Sequence, residues 1–372
     1  MKIKNRTILI AMSPLGNPIS DYYNSLANEF IKSNYKVIFI FDGLKELDNV
    51  FFENKEALKN KTIFYWPNKR PTKFSDFYFL FNLIKKEKPL MCISNFGSTN
   101  VVSVISYLLR VKNRINYIHT TSTQLFIDSK NKWVKRLFLK YRKQLIYNLN
   151  TQLFTNSNGT KKDTSEFYSF LNKKIKVFPL LIKESNIRYK IKEERECYVC
   201  IVGRLDPSKG HREVLYLFKK CLSKFPDLKL KIVGDGHLKD ELIELSKSLK
   251  IYSNVIFTGK LPYSKVSKIL SNSLVSISSS IEEAYGLVNI EALREGTPLI
   301  CTRTAGSLDI LLPKYNGIYI SHKDENSLLK ALTIIFNDWE FYSKNAIITF
   351  KNNYSLENIY KHTQTIKNNY LS

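Results

Sequence analysis

Short apolar runs of four to six residues alternate with longer amphipathic segments along the chain, and this rhythm constrains the fold most. Such runs are typical of strands buried on both faces, and the segments between them have helical spacing. One helix is predicted over residues 21–33, with Ser20 as its N-cap. The alternation indicates parallel sheets covered on both faces. The predicted strands are residues 7–12, 36–41, 62–66, 90–94, 115–119, 151–155, 175–178, 197–202, 228–233, 255–258, 274–278, 298–301 and 317–320.

The strand rhythm pauses at residues 183–196, which are highly charged and have no clear period. The sequence therefore predicts an α/β protein of two doubly wound, Rossmann-like domains that face each other across a cleft. The predicted boundaries are residues 1–182 for the first domain, 183–196 for a linker, 197–340 for the second domain and 341–372 for a helical tail. We expect the tail to pack back on the first domain.

Composition excludes several classes of protein. Of the 372 residues, 44% are hydrophobic and 24% are charged, as in globular proteins with sizeable cores. The longest apolar runs are far short of the roughly 18 residues of a membrane span, and residues 1–16 do not resemble a signal peptide. We therefore expect neither a secreted nor an integral membrane protein. Five cysteines imply no disulfide framework, and the spaced pair Cys197 and Cys200 fits opposite faces of a strand better than a metal site.

Basic residues are concentrated in the first half of the chain. The net charge is +25, and residues 1–190 alone hold 33 basic and 13 acidic residues. This imbalance predicts an anionic partner for the first domain: nucleic acid, a lipid surface or a phosphorylated substrate.

Functional residues of open α/β sheets lie just beyond the carboxyl ends of strands. The loop of residues 203–210 follows such a strand and brings together Arg204 and Lys209, a pair suited to a diphosphate. Its spacing is not that of a P-loop. Taken alone, it could also be a solvated loop with two surface cations.

The segment of residues 278–291 is the strongest candidate site. A strand ends in small polar residues, and a helix is predicted to begin near Gly286, where free backbone N–H groups favour an anion. Glu283 precedes this helix and Glu291 lies within it. Carboxylates beside a phosphate site suit the hydroxyl groups of a sugar or a ribose.

Three further positions carry weaker signals. Gly234 lies in a glycine turn after a strand, and structural turn glycines explain it equally well. His119 ends a predicted strand and either reaches the cleft or is a structural histidine. Gly16, in the first turn, permits a close backbone approach to a ligand.

These motifs together resemble the retaining glycosyltransferases of the GT4 family, which have the GT-B fold. The resemblance rests on the loop of residues 203–210, the glycine turn at Gly234 and the spacing of Glu283 and Glu291, and it covers most of residues 197–320. Over the first half it rests on the strand rhythm, His119 and Ser157. The sequence departs from the family pattern at Ala284, Tyr285 and Asp309.

The resemblance implies a nucleotide-sugar donor bound mainly by the second domain and an acceptor on the first. Arg204 and Lys209 would hold the diphosphate, Glu291 the ribose and Glu283 the sugar, with the segment of residues 259–261 beside the base. His119 would contact the transferring sugar or its phosphate. The implied catalytic residues are His119, Glu283, Arg204 and Lys209. The implied donor-binding residues are Gly16, Gly203, Arg204, Lys209, Gly234, Gly259, Leu261, Glu283, Tyr285, Gly286, Leu287, Val288 and Glu291.

No Asp-x-Asp motif occurs, so we expect neither a metal nor a cofactor, only the donor substrate, with UDP favoured over GDP. Cations and a helix N-terminus would then stabilise the leaving diphosphate. Glu283 could act as a nucleophile, but the family favours attack from the same face.

The segment of residues 130–143 holds seven basic residues and no acidic one. On a helix it would place apolar side chains beside cations, which suits either an anionic membrane surface or, for the apolar stripe, the protein core. We expect peripheral attachment, a cytoplasmic location at the inner face of the plasma membrane, and a lipid-linked or lipopolysaccharide glycan as acceptor. We therefore predict a bacterial enzyme of surface-glycan synthesis, with O-antigen, capsule or lipopolysaccharide core as product. The expected membrane contacts are Lys130, Lys132, Trp133, Lys135, Arg136, Lys140, Arg142 and Lys143.

Other functions remain open from the sequence. A nucleic-acid binder would use the basic half, but no nucleic-acid motif is present. A nucleotide-sugar epimerase or a phosphorylase could share the GT-B fold, although the spacing of Glu283 and Glu291 argues against both. A catalytically silent, membrane-associated scaffold is the third alternative.

Overall fold

The computed structural model describes residues 6–12, 18–42, 60–68, 70–124, 133–169 and 174–371, with the backbone alone for residues 133–135. Two parallel sheets organise these residues. No helix among the described residues is both long and apolar enough to cross a membrane.

The first sheet has seven parallel strands in the order β3-β2-β1-β4-β5-β6-β7. The strands are β1 (Thr7–Met12), β2 (Lys36–Phe41), β3 (Lys61–Tyr65), β4 (Met91–Asn95), β5 (Asn113–Ile118), β6 (Gln152–Thr155) and β7 (Ile175–Val177). The helices between them are α1 (Pro18–Lys32), α2 (Phe74–Glu87), α3 (Thr99–Leu108), α4 (Trp133–Asn148) and α5 (Asn158–Phe167).

The second sheet has six parallel strands in the order β10-β9-β8-β11-β12-β13. The strands are β8 (Tyr198–Val202), β9 (Lys229–Val233), β10 (Val255–Gly259), β11 (Val275–Ser278), β12 (Leu299–Cys301) and β13 (Gly317–Tyr319). The helices are α6 (His211–Cys221), α7 (Lys239–Ser248), α8 (Tyr263–Asn272), α9 (Leu287–Arg294), α10 (Ser307–Ile310), α11 (Ser327–Asn337), α12 (Trp339–Asn353) and α13 (Ile359–Tyr370).

Both sheets are buried on both faces. Every residue of β1 is buried: Ile8 and Ile10 pack into the core on one face, and Leu9 and Ala11 into the core on the other. Each sheet reverses its strand order beside its first strand, between β1 and β4 and between β8 and β11. A crevice forms beyond the carboxyl ends of the strands at such a reversal, so each sheet offers a ligand site there.

The predicted strands agree with the observed ones to within two residues at each end. The predicted start of the first helix was wrong: α1 begins at Pro18, and Ser20 is buried within its first turn. Proline suits this position because the first turn does not need its missing N–H group. Cys200 is buried and Cys197 is exposed, and neither forms a disulfide.

The charged segment of residues 183–196 packs against the second sheet unit. Its Arg195 side chain is buried, donates hydrogen bonds to the carbonyl oxygens of Ser273 (2.9 Å) and Glu295 (2.8 Å), and lies over the Trp339 ring. Satisfied hydrogen bonds make burial of this charge possible.

The last two helices pack on different units. Helix α12 lies against α9 in the second unit, whereas α13 crosses to the first and lies against α1. The Asn113 side chain donates a hydrogen bond to the Tyr370 carbonyl oxygen (2.6 Å), and Tyr22 O–H and His362 Nδ1 are 3.3 Å apart. The first unit is therefore completed by residues from the far end of the sequence.

Candidate active site

A cavity of about 320 Å³ lies between the two units, beyond the carboxyl ends of strands from both sheets. Both units contribute to its walls, as expected for a ligand site in a two-domain α/β protein. The first unit contributes Ile19, Phe96, His119, Asn156 and Leu180. The second contributes residues 201–204, Lys209, His211, residues 277–280, Glu283 and residues 285–289.

Lys209 and Glu283 form an ion pair in the wall of this cavity. Lys209 precedes α6, Glu283 follows β11, and both side chains are largely buried. The Ser280 hydroxyl lies 3.4 Å from the same Glu283 oxygen. The pair presents one cation and one carboxylate side by side, so an anionic group and a hydroxyl group could bind next to each other.

Arg204 is more exposed than Lys209. Its guanidinium lies 2.7 Å from the carboxylate of Asp206, which belongs to the same loop. The side chain is 66% exposed, so it can turn towards a ligand at little cost in burial.

The N-terminus of α9 opens onto the cavity at Gly286, Leu287 and Val288. Gly286 adopts a φ of 86°, and an added Cβ would crowd the Asn289 side chain, so glycine is needed here. The first N–H groups of a helix lack partners within the helix and favour an anion. Tyr285, just before this turn, is buried and donates a hydrogen bond to the Leu180 carbonyl oxygen (2.8 Å).

Three buried polar side chains in the cavity wall were not predicted from the sequence. Asn156, His211 and Asn289 are each at most 3% exposed, and each has a nitrogen or oxygen without a hydrogen-bond partner among the described residues. Burial and the nearby Lys209 lower the pKa of His211 to about 4. Buried polar atoms are normally paired, so these three leave room for a polar ligand. Of the three, only Asn156 could have been predicted from the sequence, because it comes directly after the strand β6.

His119 lies in the cavity wall on the first unit. Its ring is stacked between Phe96 and Tyr117, with centroid distances of 4.2 and 4.5 Å, and Nε2 lies 2.9 Å from the Asn95 side-chain oxygen. Burial lowers the pKa of His119 to about 3. The imidazole is therefore neutral at physiological pH and can hold a hydrogen bond in a fixed direction.

The structure does not bring every predicted residue to the cavity wall. Gly203 lines it, whereas Gly234 and Gly259 lie behind, with Gly234 N–H donating to the Gly259 carbonyl oxygen (3.0 Å). Leu261 packs at the edge of the core, and Glu291 lies one turn into α9. These four residues therefore lie outside the lining of the cavity. Gly16, Lys130 and Lys132 lie outside the described residues, as do the side chains of Trp133 and Lys135.

The two units meet beside the cavity, at the start of α5. The hydroxyl groups of Ser157 and Thr160 both donate to the Ala284 carbonyl oxygen, at 2.7 and 2.8 Å. Asp309 accepts a hydrogen bond from the Asn158 N–H (2.6 Å). These contacts hold the first unit next to the loop that carries Glu283.

Sequence comparison identifies the second unit. Residues 183–349 match the family described as glycosyl transferases group 1. The match covers less than half of the chain, so it shows that this segment is similar to members of that family. The matched segment contains Arg204, Lys209, Glu283 and Glu291, whereas His119 lies outside it.

Individual relatives agree with the family. An uncharacterized glycosyltransferase, MJ1607, of Methanocaldococcus jannaschii is 28% identical over 177 residues, 47% of this chain and 45% of its own length. An N-acetylgalactosamine-N,N'-diacetylbacillosaminyl-diphospho-undecaprenol 4-alpha-N-acetylgalactosaminyltransferase of Campylobacter jejuni is 26% identical over 247 residues, 64% of this chain and 65% of its own length. The chain therefore matches about half to two thirds of the length of these two relatives.

A solved structure shares the whole architecture. Anabaena Alr3699/HepE, crystallised with UDP, matches 98% of this chain and 100% of its own, with a TM-score of 0.76 and 13% identity. The chain thus has the GT-B fold of two facing Rossmann-like domains, as the sequence predicted.

Proposed function

We propose that the protein is a retaining glycosyltransferase of the GT4 type. It would move a hexosyl or N-acetylhexosaminyl group from a nucleotide-diphosphate sugar, with UDP favoured, to a lipid-linked or lipopolysaccharide or capsule glycan. The observation that carries this proposal is that Lys209, Glu283 and the start of α9 line the same cavity as His119 of the other unit.

The chain's own groups could stabilise the leaving diphosphate. Lys209 lies in the wall, Arg204 lies at the mouth, and the first N–H groups of α9 open onto the same space. Charge develops on the diphosphate as the glycosidic bond breaks, and preformed donors stabilise it without reorganising. We therefore propose a metal-independent reaction.

Glu283 and His119 would position the donor sugar from opposite sides. Glu283 is held by Lys209, which reduces the nucleophilicity of its carboxylate, so attack from the same face is favoured over a covalent intermediate. Neutral His119 would accept or donate one hydrogen bond to the sugar. Glu291, Gly234, Gly259 and Leu261 would surround the nucleoside.

The acceptor would approach from the first unit, at the inner face of the plasma membrane. The Campylobacter relative is named for a diphospho-undecaprenol acceptor, which supports a lipid-linked acceptor here. UDP in the Anabaena structure supports a uridine nucleotide. The exposed apolar side chains of α4 support attachment to a membrane surface.

The direct test is calorimetric titration with UDP, GDP and ADP in a buffer that contains EDTA. We expect one nucleotide, UDP, to bind to the wild-type protein. Lys209→Ala and Arg204→Ala should each weaken its binding by about 10- to 100-fold, because each removes a charged hydrogen bond to the diphosphate. With a UDP-sugar as donor, the transfer rate should fall by about 10²–10³-fold.

The matched control is Arg212→Ala. Arg212 is also an exposed arginine paired with a carboxylate, that of Glu241, but it does not line the cavity. Its replacement should leave UDP binding unchanged. Wild-type affinity in both Lys209→Ala and Arg204→Ala would exclude the diphosphate assignment, and binding of no nucleotide would favour a silent scaffold.

A further inference from the structure

A second cavity, of about 520 Å³, lies on the first unit directly beyond His119. Phe96 and His119 line both cavities, so one stacked pair of rings separates the two spaces. The second cavity follows the carboxyl ends of β4 and β5 and is closed on one side by the last turns of α4. It is therefore placed where an acceptor would face a donor.

Three cations line this second cavity: Arg70, Arg142 and Lys143. Among the described residues, none of the three has a carboxylate within ion-pair distance, and Asp42 is the one carboxylate in the wall. The nearby Asp163 already accepts two hydrogen bonds from Ser122, at 2.8 and 2.6 Å. The wall therefore carries excess positive charge.

Two further observations indicate a missing anion. Burial and the adjacent Arg142 lower the pKa of Lys143 to about 8, although the Asp163 carboxylate acts in the opposite direction. Asn116 is 1% exposed, lines the cavity, and has a side-chain nitrogen without a hydrogen-bond partner among the described residues. Cations held together and a buried unpaired donor both gain from a bound anion.

We propose that this second cavity binds the acceptor through a phosphate or diphosphate group held by Arg70, Arg142 and Lys143. The proposal rests on the proposed transferase function and adds the chemical class that the acceptor must contain. Three cations match the two to three negative charges of a diphosphate, whereas a single carboxylate would leave two of them unpaired. Arginine binds phosphate with two parallel hydrogen bonds, and lysine adds a point charge.

The same helix continues from this cavity to an apolar surface. Arg142 and Lys143 lie on α4 beside Phe138, Tyr141 and Leu145, whose side chains are 64%, 59% and 69% exposed. A phosphate in the cavity and an attached apolar chain along α4 would therefore contact one continuous element. A water-soluble sugar phosphate would use the cavity alone.

The test is calorimetric titration of pyrophosphate into the full-length protein saturated with UDP. UDP occupies Lys209 and Arg204, so pyrophosphate must then bind elsewhere. We expect Arg142→Ala and Lys143→Met to weaken pyrophosphate binding by about 10- to 100-fold and to leave UDP affinity unchanged. Arg142 is exposed and Lys143→Met keeps the apolar stem, so both variants should fold.

Lys112→Ala is the control, since Lys112 is an exposed lysine of the same unit that does not line the cavity. The proposal is overturned if pyrophosphate fails to bind the UDP-saturated protein, or if it binds both variants as tightly as the wild type. If UDP itself does not bind, the proposed function fails separately, and pyrophosphate titrated into Lys209→Ala still tests the second cavity.

Farnesyl diphosphate below its micelle concentration distinguishes the two sources of the phosphate group. Binding at least 10-fold tighter than pyrophosphate assigns the group to a lipid-linked acceptor. Equal binding of the two probes assigns it to a water-soluble phosphorylated acceptor. Both results require that Arg142→Ala weaken binding.

Discussion

Glu291 is a buried carboxyl group. Its side-chain oxygens accept no hydrogen bond from the described residues. It is 5% exposed, and burial raises its pKa to about 7, although the Arg294 guanidinium acts in the opposite direction. A buried carboxyl group without hydrogen-bond donors destabilises the folded, ligand-free protein when it ionises. Such groups cluster at binding sites. Ribose hydroxyl groups would supply the donors that Glu291 lacks.

The pKa of Glu291 leads to a pH-dependent stability. The folded protein keeps this proton up to about pH 7, whereas the unfolded chain releases it near pH 4.5, so stability falls as the pH rises between these values. Glu291→Gln cannot ionise. We expect the variant to exceed the wild type in free energy of unfolding by about 1–3 kcal/mol at pH 8, and the difference to shrink towards pH 5.

Urea unfolding at pH 5 and pH 8 measures this difference. Glu244→Gln is the control, since Glu244 is an exposed helix residue paired with Lys247. A constant difference between wild type and Glu291→Gln at both pH values would contradict the raised pKa.

Sequence motifs predicted those site residues whose role depends on the local backbone or on a single charged side chain. Lys209, Glu283 and Gly286 follow strand ends, and the structure brings them to one wall. His211 and Asn289 carry no such signal. Their importance comes from burial without a hydrogen-bond partner, which depends on packing between distant segments and cannot be derived from spacing.

At the scale of elements, α4 combines a basic composition with an exposed apolar face. Phe138 and Leu145 are each more than 60% exposed, so the described part of this helix does not bury its apolar stripe in the core. An exposed stripe flanked by cations suits the boundary between headgroups and acyl chains of an anionic bilayer. The structure thus excludes a core position for Phe138, which lies in the basic segment of residues 130–143; Leu145 extends the exposed face beyond that segment.

We expect Phe138→Ser with Leu145→Ser to reduce binding to vesicles of anionic phospholipid by about tenfold or more. Each exposed side chain would contribute about 1 kcal/mol or more of apolar contact with the bilayer. Vesicle co-sedimentation measures the loss, and circular dichroism checks that the helix content is retained.

Ile334→Ser is the matched control, because Ile334 is a half-exposed apolar residue on α11 of the second unit. It should not alter vesicle binding. Equal binding by the wild type and the α4 variant would remove α4 from the membrane contact.

Strands were predicted better than helix ends. A parallel strand buried on both faces is a continuous apolar run, as in β1 and β2, so its limits can be read from composition. The start of α1 was misplaced because both Pro18 and Ser20 are acceptable near a helix N-terminus. Which one begins the helix depends on packing beyond the local sequence.

At the scale of the whole molecule, the junction at α5 sets the separation of the two units. Gly159 lies directly against the backbone of Ala305, and a Cβ built on Gly159 would overlap it. The neighbouring Ser157 and Thr160 hydroxyl groups bind Ala284 in the loop that carries Glu283. A small displacement here would separate His119 from the donor side of the cavity.

We expect Gly159→Ala to lower the transfer rate by about 10²-fold while UDP affinity stays near that of the wild type. A misplacement of about 1 Å between reacting groups can have this effect, and the proposed UDP-binding groups lie on the second unit. Hydrogen exchange of residues 157–160 and 302–309 should become faster, because the junction hydrogen bonds open.

Ser165→Ala serves as the control, since Ser165 is a half-buried residue of the same helix whose hydroxyl donates to the Lys162 carbonyl oxygen and not to the second unit. If Gly159→Ala has the hydrogen-exchange rates of the wild type at the junction and also its transfer rate, the added methyl group is accommodated without moving the units.

The crossing of α13 affects how the protein can be made. Tyr22 and His362 meet across 340 residues of sequence, so α1 lies without its covering helix until the ribosome has synthesised α13. Folding during synthesis therefore cannot finish the first unit before the second has emerged. Expression of residues 1–182 alone would leave an apolar flank of α1 uncovered, so the first unit depends on the later part of the chain for a complete core.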